Sequence, residues 1–355
     1  MSIHLLQQPP ESWRESIEKL MGAWNAGRFP QAVLLDGPAG IGKKRLAMEL
    51  AAFLTCEDEA HRPCTKCFSC KTAFDPGAAD RWILPLAIEA KDRDNEDKVA
   101  EAQSELLRQL VENPYSLRVI PATAFISVHQ VRHLWQRISF KATGTRAFII
   151  AEADCLNDNA ANALLKTLEE VPPNTYFILT TAHRNNLLQT IQSRTMPLRL
   201  PPLSPDEVAQ VLAVKGFDVP SPDLLGMSMG SVGKAMQSLE MNLPEAQQRA
   251  VEFLQFVAAK KWSRLFRSMD AWFAKELEAA LFFLEVLAML VEDLLRRDSG
   301  APVRFPSCLD QGLKAFRSDT TARILVAISQ TVRRLEDRKG TVSVALQALA
   351  LQFGE

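Results

Sequence analysis

The segment Leu34-Leu35-Asp36-Gly37-Pro38-Ala39-Gly40-Ile41-Gly42-Lys43-Lys44 constrains this chain more than any other. It has the spacing G-x-x-x-x-G-K, in which glycines let backbone N–H groups face a phosphate, the lysine reaches the terminal phosphates, and a following Ser or Thr holds Mg²⁺. Gly37, Gly40, Gly42 and Lys43 supply that cradle, while Lys44 stands where the hydroxyl belongs. Apolar Ala32–Leu35 reads as a buried strand and Arg45–Leu54 as a helix. The loop therefore joins a strand to a helix N-terminus, where anions bind. ATP binding is compatible with this loop; Mg²⁺ coordination is not expected.

A second nucleotide element is also incomplete. Arg146–Asp154 reads as a strand of the kind that ends in Asp-Glu, the Asp near Mg²⁺ and the Glu polarising an attacking water. Ala151 occupies the Asp position and only Glu152 remains, as a residual catalytic group or a solvated acid at a strand end. With a hydroxyl and a carboxylate both missing, positioning and neutralisation of a γ-phosphate should fail together.

Four of the six cysteines, Cys56, Cys64, Cys67 and Cys70, fall in one short window. Four thiolates close the tetrahedral shell of Zn²⁺ and leave no position for water or substrate, so the spacing predicts a structural zinc site. Nothing at the N-terminus resembles a signal peptide, which favours reduced thiols and a cytoplasmic location over disulfides. His61 lies in the window and reads as an exposed loop residue, and Cys155 and Cys308 as small apolar residues.

The 355 residues suit two or three domains, and a formal charge of -1 removes any case for global attraction to nucleic acid. Short apolar strands (Ala32–Leu35, Phe148–Ile150, Tyr176–Thr180, Met196–Leu200) alternate with helical runs, which predicts an α/β core with a parallel sheet over 1–200. Pro201–Pro205 breaks the chain, and Ser204 with Glu207 forms a capping box that opens a small helical lid domain over 201–243. Everything from 244 to 355 reads as helical. Its most apolar run, Ala279–Leu290, is too short and too interrupted by charge to span a bilayer, so no membrane partner is expected. The charged insert at 89–98 reads as a solvated loop or exposed helix.

The order of these segments resembles the delta-prime family of bacterial DNA polymerase III clamp-loader subunits, within the AAA+ superfamily. The resemblance rests on the phosphate loop, the cysteine cluster, Phe125–Arg132, Ala160–Glu170 and Gln192-Ser193-Arg194-Thr195. It implies an AAA+ core carrying a zinc module, a lid, and a C-terminal helical collar for oligomerisation. It also implies a subunit without ATPase activity of its own that belongs to a polymerase holoenzyme. Its partners would be the ATPase subunits and delta, with the sliding clamp and primed DNA reached through the complex. In clamp loaders the Ser-Arg-Cys motif sends its arginine into a neighbour's ATP site; here that residue is Arg194, followed by Thr195 in place of cysteine. Gly233 fills the position where ATPase relatives place a phosphate-sensing arginine, with Lys234 as the possible substitute. Gln31, Val171 and Ala78-Ala79-Asp80 also depart from the family pattern. An active motor subunit would need a hydroxyl at 44, Asp at 151 and Arg at 233. A zinc-containing nucleic-acid-binding module would need a denser Lys/Arg stripe around Cys56–Cys70. A small-molecule P-loop kinase leaves Asn162–Glu170 and Ser193–Thr195 unexplained.

Overall fold

The computed structural model describes residues 5–88, 95–117, 124–139, 144–273, 276–309, 313, 318–336 and 341–353. Contacts divide the chain into two compact units, Met1–Gly216 with Gly230–Gly233, and Phe217–Met229 with Lys234–Glu355.

The first unit contains α1 (Arg14–Asn25), β1 (Ala32–Asp36), α2 (Lys43–Thr55), α3 (Phe68–Thr72), β2 (Trp82–Ile83), α4 (Glu96–Glu112) and α5 (Val128–Ser139). It continues with β3 (Arg146–Ile150), α6 (Asp158–Glu169), β4 (Thr175–Thr181), α7 (Gln189–Gln192), β5 (Met196–Arg199) and α8 (Pro205–Val214). The five strands pair in parallel in the order β2-β3-β4-β1-β5. Central strands covered on both faces lose the alternation of a half-exposed sheet. Accordingly Val33, Leu34 and Leu35 of β1 and Phe177, Ile178 and Leu179 of β4 are all buried. Ala32, Leu34, Phe148, Ile150, Phe177 and Leu179 share a core with Val131 and Leu134 of α5 and Ala160, Ala161 and Leu164 of α6. Helix α2 packs against β1, β3 and β4.

Four strands match their expected places within a residue or two. The buried face of α6 is Ala160, Ala161, Leu164, Thr167 and Leu168, with Ala163 only partly buried. Asn157 caps the helix by accepting from the Ala160 N–H at 2.8 Å, so it begins at Asp158, two residues before the stretch Ala160–Glu170. Strand β2 was not legible, because two residues make no pattern. It exists by pairing with Ile149 and Ile150, while Gln103 donates to the Trp82 carbonyl at 2.7 Å. Of the charged insert, 89–94 lie outside the described residues; Asn95 caps α4 by accepting from the Lys98 N–H at 3.2 Å.

In the second unit α9 (Pro222–Ser228) and α10 (Val232–Glu240, from Lys234 on) lead into α11 (Leu243–Ala258), α12 (Trp262–Phe273) and α13 (Leu277–Asp298). Helices α14 (Pro306–Leu309), α15 (Ser318–Glu336) and α16 (Val342–Phe353) complete it. The apolar run expected over 279–290 lies within α13 and packs against α11 and α15. Phe283 meets Phe273 at 5.0 Å and Phe253 at 5.8 Å between ring centroids. Asp293, fully buried on α13, accepts from the Arg304 and Phe305 N–H groups at 2.7 and 2.8 Å and so secures the chain ahead of α14. Among the described residues no helix is long and apolar enough to cross a membrane.

Candidate functional site

The glycine loop turns from the end of β1 into α2 through two left-handed residues, Gly40 at φ 72° and Gly42 at φ 114°. Lys43, 6% exposed, donates from Nζ to the Gly37 and Pro38 carbonyls, each at 2.6 Å. Its charge is turned back onto the loop's own backbone. Burial first, and then repulsion from Lys44, hold its pKa down to about 8.

Lys44 reaches from the first turn of α2 to the end of β3, where its Nζ lies 2.7 Å from Glu152 Oε1. Their side chains are 12% and 17% exposed. Glu152 is therefore not the solvated acid that a strand end suggests. The ion pair joins the two positions expected to hold a metal-binding hydroxyl and a water-polarising carboxylate. Each group neutralises the other.

Three further residues close over the loop. The Gly233 N–H donates to the Gly40 carbonyl at 2.9 Å, and Ser231 Oγ donates to the Ala39 carbonyl at 2.9 Å. A Cβ at Gly233 would stand 2.2 Å from the Tyr115 carbonyl oxygen and 3.0 Å from Gly40 Cα. The glycine in the sensor position is thus required by backbone packing, which leaves no space for an arginine. The Lys234 ammonium pairs with Glu285 of α13. Tyr115 also presses its ring on the loop, 2.8 Å from where a Gly42 Cβ would lie. The remaining cavity beside Gly40, Gly42, Lys43, Lys44 and Glu152 is about 50 Å³, room for a few waters. A larger one of about 250 Å³ lies between α4 and α5 at the β2 edge. The amides of its buried Gln103 and Gln130 are committed to the Ala79, Trp82 and Leu84 carbonyls.

The cysteine window folds into a compact cluster. Cys56 follows α2, Cys67 caps α3, and the four sulfurs of Cys56, Cys64, Cys67 and Cys70 lie within 4.8 Å of one another. Zinc–sulfur bonds of about 2.3 Å in a tetrahedron separate sulfurs by about 3.8 Å, so small adjustments would bring this quartet onto one ion. Backbone N–H groups of Cys64, Cys67 and Cys70 donate to the sulfurs of Cys56, Cys64 and Cys67 at 3.4, 3.3 and 3.4 Å. Such donors favour thiolate, and N–H groups of Cys67 and Lys66 draw Cys64 down to about 6. Burial pushes Cys56 and Cys70 up. His61 is exposed beside Asp58 and outside the cluster, and all six cysteines are unbridged.

Arg194 follows α7, its backbone N–H bonded to the Ile191 carbonyl at 3.1 Å. Thr195 is buried, and its hydroxyl reaches the Ile191 and Gln192 carbonyls at 3.2 Å each. Because β5 runs parallel to β1 with Met196 opposite Val33 and Arg199 opposite Asp36, Arg194 lies at the end of the sheet opposite the glycine loop. The four residues of β5 alone put about 13 Å of strand between Arg194 and the loop's end of the sheet. The arginine is out of reach of its own chain's phosphate loop. Its Nη1 donates to the Thr190 carbonyl at 3.0 Å, and its Nη2 pairs with Glu169 at the end of α6.

A family model described as "DNA polymerase III, delta subunit" matches residues 13–204. DNA polymerase III subunit delta' of Escherichia coli (strain K12) is 27% identical over 297 residues, covering 81% of this chain and 76% of that protein. The subunit delta' of Bacillus subtilis (strain 168) is 25% identical over 345 residues, covering 91% and 93%. Among solved structures, a DNA polymerase III gamma subunit-related protein from Thermotoga maritima has a TM-score of 0.47 at 14% identity, covering 94% of this chain and 98% of its own.

Proposed function

Since the chain belongs to the DNA polymerase III delta subunit family, we propose that it serves DNA replication as a non-hydrolysing, delta-prime-type AAA+ subunit of the clamp loader. One observation carries the non-hydrolysing part: the Lys44–Glu152 ion pair. Catalysis of phosphoryl transfer is mostly positioning and charge stabilisation through Mg²⁺ and an oriented water. Here an ammonium and a carboxylate neutralise each other at the positions for those tasks. ATP at Gly37, Gly40, Gly42 and Lys43 would have to draw Lys43 off two carbonyls and displace the Gly233 and Tyr115 contacts, so binding there is weak.

The chain's chemical contribution is then made elsewhere. Arg194, at the far end of the sheet from its own loop, acts in trans as an arginine finger on a neighbouring ATPase subunit, where a planar cation stabilises charge on the γ-phosphoryl. Cys56, Cys64, Cys67 and Cys70 hold a structural Zn²⁺ that ties the end of α2 to α3. Functionally, residues 1–200 form the core, 201–243 the lid and 244–355 the collar that joins the ATPase subunits and delta. The sliding clamp and primed DNA are engaged through that complex, in the cytoplasm.

Two measurements test this. The purified chain should show negligible ATPase activity, and a complex reconstituted with the ATPase subunits, delta, clamp and primed DNA should lose turnover and clamp loading on Arg194→Ala while still assembling. Turnover by the pure chain at the rate of a working clamp-loader ATPase, abolished by Lys43→Ala, would overturn the first part. Unchanged turnover and loading with Arg194→Ala would overturn the second.

A further inference from the structure

Arginine side chains at a surface sample many rotamers, and a finger that must meet a phosphoryl group loses that freedom on docking. Arg194 is already restrained. Its Nη1 donates to the Thr190 carbonyl at 3.0 Å and its Nη2 pairs with Glu169 Oε1. Glu169 stands 25 residues earlier in the chain, on a different element, so this is not a local helix pair. Both backbones are anchored. Helix α6 is held by buried Leu164, Thr167 and Leu168, and Arg194 sits between the bonded end of α7 and buried Thr195. The two contacts use two of the five guanidinium N–H donors, which leaves three for an incoming anion.

From this geometry we infer that Glu169 is a positioning residue for Arg194, presenting the guanidinium at the subunit surface before the neighbour arrives. The inference rests on the reading that Arg194 acts in trans. Side-chain exposures of 36% for Arg194 and 49% for Glu169 keep the pair accessible, and an ion pair this exposed contributes little to fold stability. The effect of Glu169 should therefore appear in turnover and not in the melting temperature. A pre-aligned fork lowers the barrier of the chemical step without changing how tightly ATP is held by the neighbour.

The test uses the complex reconstituted from the full chain, the ATPase subunits and delta, assayed with clamp and primed DNA. Glu169→Gln keeps the shape and removes the charge; Glu169→Asp keeps the charge and shortens the reach. With Glu169→Gln, kcat is expected to lose about half or more of what Arg194→Ala loses, at unchanged KM for ATP and unchanged melting temperature of the chain. Glu169→Asp should fall between wild type and Glu169→Gln. In an Arg194→Ala background Glu169→Gln should have no further effect, because the group it positions is gone. Wild-type turnover with Glu169→Gln beside a loss with Arg194→Ala would overturn the positioning role and leave the finger standing. If neither variant changes turnover, both readings fall. A Glu169→Gln effect that persists without Arg194 would show that Glu169 acts on another group, and turnover above wild type would show that it restrains the arginine; either overturns the proposal.

Discussion

Gly233→Ala sets two effects of opposite sign against each other. Gly233 lies in α10, and alanine is favoured over glycine in a helix interior by about 1 kcal/mol, less in the first turn. Packing opposes this. The new Cβ would lie 2.2 Å from the Tyr115 carbonyl oxygen and 3.0 Å from Gly40 Cα, both backbone atoms that cannot rotate aside. The glycine loop or the Tyr115 segment must retreat by about 1 Å, a kind of overpacking that typically costs 1–3 kcal/mol. Such a retreat also stretches the 2.9 Å bond from the Gly233 N–H to the Gly40 carbonyl. The net expectation is a loss of about 1–2 kcal/mol, or about 2–8 °C in the melting temperature for a folding unit of this size. Thermal unfolding followed by circular dichroism on the full chain, with urea midpoints as a second measure, reads this directly. An unchanged or raised melting temperature would refute the reasoning, because helix propensity would then outweigh a contact claimed to be too close. Gly233→Arg should destabilise more. Combined with Lys44→Thr and Ala151→Asp, it should not restore ATPase activity, since the space over the loop belongs to backbone.

Two further outcomes are expected. Burial and Lys44 hold Lys43 at about 8, below its ordinary 10.5, so the unfolded chain binds more protons between those values and stability rises with pH across that window, by up to about 3 kcal/mol. Lys44→Ala removes the repulsion and leaves Glu152, so Lys43 moves back toward 10.5 and urea midpoints taken from pH 7.5 to 10.5 should climb less steeply; an unaltered slope would sink this account. Freshly purified chain should carry about one zinc per molecule by elemental analysis, and Cys64→Ser or a strong chelator should lower the melting temperature. Metal-free protein with four titratable thiols in the window would exclude the site.

Features whose physics is local were legible in the residues alone. Left-handed Gly40 and Gly42 mark a loop because only glycine takes that backbone without strain. The cysteine spacing predicts a cluster because chain stiffness over a few residues decides which sulfurs can meet. The Ser204–Glu207 capping box and the apolar α13 were legible for the same reason, each being set by neighbours within a turn or two of helix. Strand β2 was hidden because two residues acquire their identity from Ile149 and Ile150. The state of the candidate site was decided by tertiary structure. Lys44 reads in sequence as a missing hydroxyl and Gly233 as a missing arginine, yet the fold gives Lys44 a partner at Glu152 and packs Gly233 against Gly40 and Tyr115. Likewise the direction of Arg194 follows from the parallel pairing of β5 with β1. A motif's backbone conformation depends on its own residues, whereas the space and charge left around it depend on distant segments that only the completed fold brings together.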